Sequence, residues 1–230
     1  MRRLLLFFCG ACAWAQSGIE VPAIGVIVDS SRDLRPVQGV AGSFLLGPAS
    51  MTGVVSAACS EQLCLAKTDS KIVSATGETD APPGPAIFSL SGNEAILFFP
   101  ESRVFARWLN DVLEPLDWMV DGEILSIRAQ DIGARKDGAI SIVHPDGSVV
   151  DSIPDASGPV LLLTNGVIFA TKGEIVLRQG DSEARFELAG SESITAMGPH
   201  YAAIRAGKAI YALRTAPGRE GLYLLPGNAP

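Results

Sequence analysis

Most of the residue patterns that mark a familiar active site are missing from this chain of 230 residues. Histidine occurs twice, at His144 and His200. A zinc centre needs four protein ligands, or three and a water, and so few histidines and cysteines do not supply them. Of the four cysteines, Cys9 and Cys12 lie in an apolar N-terminus. The other two, Cys59 and Cys64, are too far apart for a redox Cys-x-x-Cys. No Gly-x-Ser-x-Gly elbow occurs, and nothing in the order of residues brings Ser152 or Ser157 to His144. The 24 glycines are scattered among turns rather than gathered into a phosphate-cradling loop. Lysine and arginine (18) are outnumbered by aspartate and glutamate (25) and form no cluster, which argues against a nucleic-acid partner. Past the N-terminus, no apolar run reaches the ~20 residues of a membrane-spanning helix. Helical repeats are set aside as well. The nearest approach to a 3.6-residue period is Arg103–Val120, where Pro115 and the phase of the surrounding pattern favour strand.

The N-terminus reads as a leader. Met1-Arg2-Arg3 is a short positive start, Leu4–Ala11 is apolar, and Ala13-Trp14-Ala15 places small residues where signal peptidase needs them. The expectation is a signal peptide over 1–15, cleavage before Gln16, and export to the periplasm or the extracellular space. Residues 16–230 then form one domain, long enough for a sizeable core. Losing Arg2 and Arg3 leaves 16 basic residues against 25 acidic ones. In an exported chain Cys59 and Cys64 are free to pair, and a strand–turn–strand reading sets them opposite each other at a hairpin mouth. So small a closed loop is worth about 2 kcal/mol by chain entropy.

What the chain has instead is a repeat. Ala139–Ile153 carries two short apolar runs around His144-Pro145-Asp146-Gly147, and Asp-Gly between such runs signals a hairpin. Related hairpins begin at Val26, Leu63, Val104, Ile140, Ile175 and Ile210, recurring every 35 to 41 residues. Between them lie five pairs of more apolar runs. These are Ser43–Leu46 with Gly53–Ala58, Ala86–Leu90 with Ala95–Phe99, Glu123–Arg128 with Ile132–Arg135, Val160–Leu163 with Val167–Ala170, and Ile194–Met197 with Tyr201–Arg205. A strand apolar throughout is buried on both faces, whereas an alternating one is half wet. Four short strands per repeat, graded from apolar to polar, suit the blade of a propeller.

On that period, and on hairpins such as Val143–Val150, residues 16–230 resemble the broad superfamily of WD40-like, NHL-like and YVTN-like β-propellers of secreted bacterial type. The resemblance implies an all-β propeller of four-stranded antiparallel blades. Trp-Asp dipeptides, Gly-His pairs, kelch double glycines and sialidase boxes are absent, so it names no subfamily. Six blades are expected, one of them incomplete because Val26–Val37 lacks inner strands of its own, and five is the alternative count. The Pro- and Gly-rich Gly77–Pro85 is expected to be an enlarged loop on the top face.

Sorting the turns of such a blade onto two faces groups the charges. Connections from a fourth strand to the next first strand carry Asp80, Asp117, Asp121, Asp155 and Glu192, a candidate acidic collar for a cation or a basic peptide. Turns between second and third strands carry Lys136, Lys172 and Lys208, a candidate basic rim. The competing reading is that turns are charged because solvent suits them. Trp108 is expected inside a blade, and Trp118, beside Asp117, is the candidate exposed aromatic. No acidic pair stands out as an acid/base couple. The chain is therefore expected to be a non-catalytic binding module, monomeric, without cofactor, for an extracytoplasmic protein or glycan. The alternatives are a lactonase-like hydrolase with a metal at the channel mouth and a structural surface protein.

Overall fold

A computed structural model describes residues 21–227; the expected signal peptide over 1–15 and its cleavage site before Gln16 lie outside the described residues. The chain forms six antiparallel sheets arranged as the blades of a β-propeller, and no helix occurs among the described residues. Blade 1 has three strands, β1 (Ala23–Val28), β2 (Leu34–Val40) and β3 (Ser43–Leu46). The other five have four. Blade 2 comprises β4 (Ser56–Cys59), β5 (Cys64–Lys67), β6 (Lys71–Val73) and β7 (Glu78–Asp80). Blade 3 comprises β8 (Ile87–Ser91), β9 (Glu94–Phe99), β10 (Val104–Leu109) and β11 (Val112–Leu116). Blade 4 comprises β12 (Glu123–Arg128), β13 (Asp131–Lys136), β14 (Ala139–Val143) and β15 (Val149–Ser152). Blade 5 comprises β16 (Val160–Leu163), β17 (Gly166–Ala170), β18 (Glu174–Gln179) and β19 (Ser182–Glu187). Blade 6 comprises β20 (Ser191–Gly198), β21 (Tyr201–Ala206), β22 (Ala209–Arg214) and β23 (Gly221–Leu224).

From Ala86 onward the strands fall where the apolar runs place them. The first third is out of step by one strand. Ser43–Leu46 does not open a blade; it pairs with β2 and completes blade 1. The hairpin within Leu63–Ala75 supplies the second and third strands of blade 2 rather than its last two. Its fourth strand is Glu78–Asp80, inside the stretch expected to be loop. An outermost strand faces water and needs no apolar run, so Glu-Thr-Asp serves.

The count of strands in blade 1 sets its direction. Antiparallel strands alternate, so a three-strand blade reverses the parity of a four-strand one. Accordingly β1 runs against the neighbouring innermost strand β20. Its early residues Ile24 and Gly25 abut Met197 and Gly198 at the end of β20. Its last residue, Val28, accepts a 2.9 Å hydrogen bond from Arg205, which lies opposite Ser193 near the start of β20. In direction, β1, β2 and β3 are the second, third and fourth strands of a blade without an innermost one. The five true first strands, β4, β8, β12, β16 and β20, close on one another, and β1 sits against both β4 and β20.

The core is divided by blade seams rather than gathered at one centre. Adjacent residues on a strand point to opposite faces, so Phe98 fills the seam between blades 3 and 4 while Phe99 fills that between blades 2 and 3. Ile168 and Phe169 divide in the same way. Blade 1 packs on blade 6 through Ile27, Val37, Phe44, Met197, Ala203 and Ile210, among others. Its seam with blade 2 is thinner, with Leu34, Val54 and Ala66 as the buried residues. Hydroxyls stitch blades together: Ser56, Ser89 and Ser126 accept the backbone N–H groups of Ala86, Ala129 and Leu162 in the next blade. The Cys59–Cys64 disulfide closes the β4–β5 hairpin, with Cα atoms 4.0 Å apart.

Asp111 forms a further stitch. Its carboxylate accepts Ser74 Oγ at 2.6 Å and Thr76 Oγ1 at 2.7 Å, and its carbonyl accepts Thr79 Oγ1 at 2.6 Å. The Ser74 and Thr76 hydroxyls hold this carboxyl below its ordinary pKa of 3.8, against a smaller opposing effect of desolvation. A lowered folded-state value stabilises the fold above the unfolded pKa, and the contribution fades as pH falls through the folded one. Asp111→Asn is therefore expected to lower Tm at pH 7, with the gap to wild type closing in acid. Thermal unfolding across that range checks it, and a gap that stays constant with pH would count against it.

Candidate functional site

The top of the propeller carries the connections between blades and the turns between second and third strands. Because β1 is reversed, the β1–β2 turn lies there too: Arg32 pairs with Asp69 of the β5–β6 turn at 3.5 Å. A cavity of about 560 Å³ runs from this mouth along the first strands, within the size range of ligand sites. Its walls are mainly apolar, built from side chains such as Val26, Val55, Ile87, Phe88, Leu125 and Leu161. Charge gathers at Asp29, Arg32, Asp69, Glu101 and Arg205.

Most of this charge is already engaged. Asp29 accepts Arg35 Nε at 2.6 Å and the backbone N–H groups of Ser31 and Asp33. Partial burial works to raise its pKa, but those N–H donors and the Arg35 guanidinium outweigh it and hold the carboxyl down. Lys67, fully buried beneath the mouth, donates its ammonium to the carbonyls of Thr68 and Asp69 at 2.6 and 3.1 Å. Burial lowers its pKa, and the charges of Asp69 and Glu101 oppose that in part. Lys67 thus ties the turn that carries Asp69, a structural use of the charge.

The residues singled out from sequence lie around this cavity rather than in its wall. Asp80, Asp117, Asp121, Asp155 and Glu192 are exposed, one or two to each connection that follows blades 2 to 5, and none lines the cavity. No group of three or more metal-ligating side chains forms among the described residues. Lys136 pairs with Asp121 at 3.0 Å, joining one rim lysine to one collar carboxylate. Lys172 and Lys208 are exposed in their turns. Trp118 is half-buried, its ring 5.4 Å from Phe105 in the seam of blades 3 and 4. Its neighbour Met119, 85% exposed, reaches solvent instead. Trp108 is buried. His144 is half-buried, with Nε2 3.6 Å from Asp131, and His200 is exposed in the β20–β21 turn.

Arg205 was not among those residues, yet it lines the cavity and bonds the Val28 carbonyl there. One signal was available, since Arg135 in the matching strand of blade 4 makes the same kind of reach, to the Gly158 carbonyl at 2.9 Å. An arginine repeated in second strands marks a seam-spanning cation. The carbonyl it meets is set by which blades become neighbours.

No protein-family model matches the chain, and no curated protein matches it. Solved structures do. A chain of a nidogen/laminin complex superposes with a TM-score of 0.58 at 9% identity, over 89% of this chain and 94% of that one. PorZ of Porphyromonas gingivalis, described as an essential bacterial surface component of the type-IX secretion system, aligns with a TM-score of 0.49 at 15% identity. Hsv2 of Kluyveromyces lactis aligns with a TM-score of 0.47 at 10% identity over 75% of this chain. The chain spans 63% of the Hsv2 chain and 39% of the PorZ chain. At these identities the likeness is one of fold, and it is the first of the three that carries weight. The class is a six-blade β-propeller, which hosts many activities.

Proposed function

We propose that this chain is an exported binding module that takes a segment of another extracytoplasmic protein in the cavity at the top of its ring. The observation that carries the reading is that cavity itself, mainly apolar in its lining and about 560 Å³ in volume. Apolar walls with a few placed polar groups favour protein side chains over a sugar, which presents hydroxyls needing partners. A purely structural surface protein has no use for a cavity of this size. The hydrolase reading draws less support, because the mouth carboxylate Asp29 is committed to Arg35. Export enters the proposal from the leader-like residues 1–15.

Immobilised mature protein, challenged with the native extracytoplasmic fraction, tests this reading. Thr195→Trp projects an indole into the cavity from β20 and is expected to cut retention of the bound protein at least tenfold. Lys172→Glu, on the rim, is expected to leave it unchanged. Retention that follows the rim substitution and ignores Thr195→Trp would move the site out of the cavity.

A further inference from the structure

Beyond Gly25, where β20 closes on it, β1 has no hydrogen-bonded strand on its axial side among the described residues, and the geometry of that edge specifies what fits it. Pro36, opposite Val26, gives its carbonyl outward to the Gly47 N–H at 2.9 Å. The Val26–Pro36 pair is thus a non-hydrogen-bonded one, and the N–H and C=O of Val26 project to the other edge of β1. Val28, two residues on, faces the same way and offers its carbonyl to Arg205. Both residues line the cavity. An antiparallel strand edge that faces an apolar cavity is a template for another strand.

At the upper end of this edge stands Arg205. Its guanidinium donates to the Val28 carbonyl and forms no ion pair with a carboxylate among the described residues. The other arginines at the mouth differ, since Arg32 has Asp69 and Arg35 has Asp29. The planar fork keeps donors free for a bidentate carboxylate.

We infer that the cavity binds the C-terminal end of an extended apolar peptide, its backbone paired along Val26–Val28 and its terminal carboxylate held by Arg205. This rests on the proposed binding role and gives it a ligand class. Three residues pair along Val26–Val28 and a fourth brings the carboxylate to Arg205, about 13 Å of extended chain in all. Alternate side chains face the apolar wall. Glu101, which also lines the cavity, excludes an acidic side chain from the peptide body.

The probe is a fluorescent, N-acetylated tetrapeptide of alternating threonine and valine, made once with a free C-terminal carboxylate and once as the amide. Anisotropy titration of mature wild-type protein is expected to show the acid binding about tenfold more tightly than the amide. In Arg205→Gln, checked for native circular dichroism, the two are expected to bind alike. Should that variant fail to fold, the acid–amide comparison on wild type decides alone. Equal binding of acid and amide by wild type would overturn the inference. So would binding of the acid only after residues 16–20 are removed, which would make the chain's own preceding segment the occupant. If neither peptide binds but Thr195→Trp still abolishes protein capture, the binding role stands and this ligand class falls.

Discussion

Gly25→Ala is expected to destabilise the fold by about 3 kcal/mol, the upper end of the usual cost of a clash forced into packed structure. A Cβ built on Gly25 lies 1.6 Å from the carbonyl oxygen of Met197 and 2.4 Å from its carbon. Both are backbone atoms, so no rotamer change relieves the overlap. The approach is mutual, since a Cβ on Gly198 would lie 2.2 Å from the Ile24 oxygen. Two bare backbones therefore meet where the N-terminal blade closes on the C-terminal one. Spreading that seam also draws Val28 from Arg205 and loosens the cluster of Ile27, Val37 and Met197. For a domain of this size the loss corresponds to a fall in Tm of at least ~6 °C. Gly173→Ala is the control, because nothing lies within 4 Å of a Cβ there, and it should change stability by no more than ~0.5 kcal/mol. Equal Tm values for the two variants would show that the ring closes some other way.

Phe169→Ala is expected to cost about 3–5 kcal/mol, the usual range for emptying a buried phenylalanine site. The ring is fully buried on β17, flanked in register by Val160 and Val176. It fills the seam with Ile140 and Ile153 of blade 4. Neither neighbour can collapse into the space without distorting its own sheet. The Arg178 guanidinium, 5.1 Å from the ring centre, loses a cation–π contact as well. Denaturant unfolding measures the effect. Val150→Ala, at an exposed site on β15, should alter the midpoint little. A Phe169→Ala loss no larger than that of Val150→Ala would contradict the seam account of stability.

How far the sequence could be read depended on which force placed each element. Runs such as Val160–Leu163 and Gly166–Ala170 are apolar because seams bury both faces of an inner strand, and that burial writes a visible pattern. Glu78–Asp80 leaves no such mark. It is held by ladder pairing with β6 and by Thr79 reaching Asp111 from blade 2 to blade 3. The collar and rim residues lie in or beside turns between strands, and turn residues announce themselves. Their failure to converge was not visible, since an exposed carboxylate needs only water. Trp118 shows the same limit: its position beside Asp117 suggested exposure, and its ring packs on Phe105, which leaves it half-buried.

Taken alone, the order of residues determined the all-β repeat, the period of its blades and which strands are innermost in blades 3 to 6, because apolar periodicity is a local record of burial. It also brought Cys59 and Cys64 within bonding reach, since a short hairpin is local too. Tertiary structure decided the rest. It set the reversed run of β1, the closure of Gly25 on Gly198 and the bond from Arg205 to Val28, across 177 residues of chain. A cavity has walls from many blades at once, and so it exists only when the ring is shut.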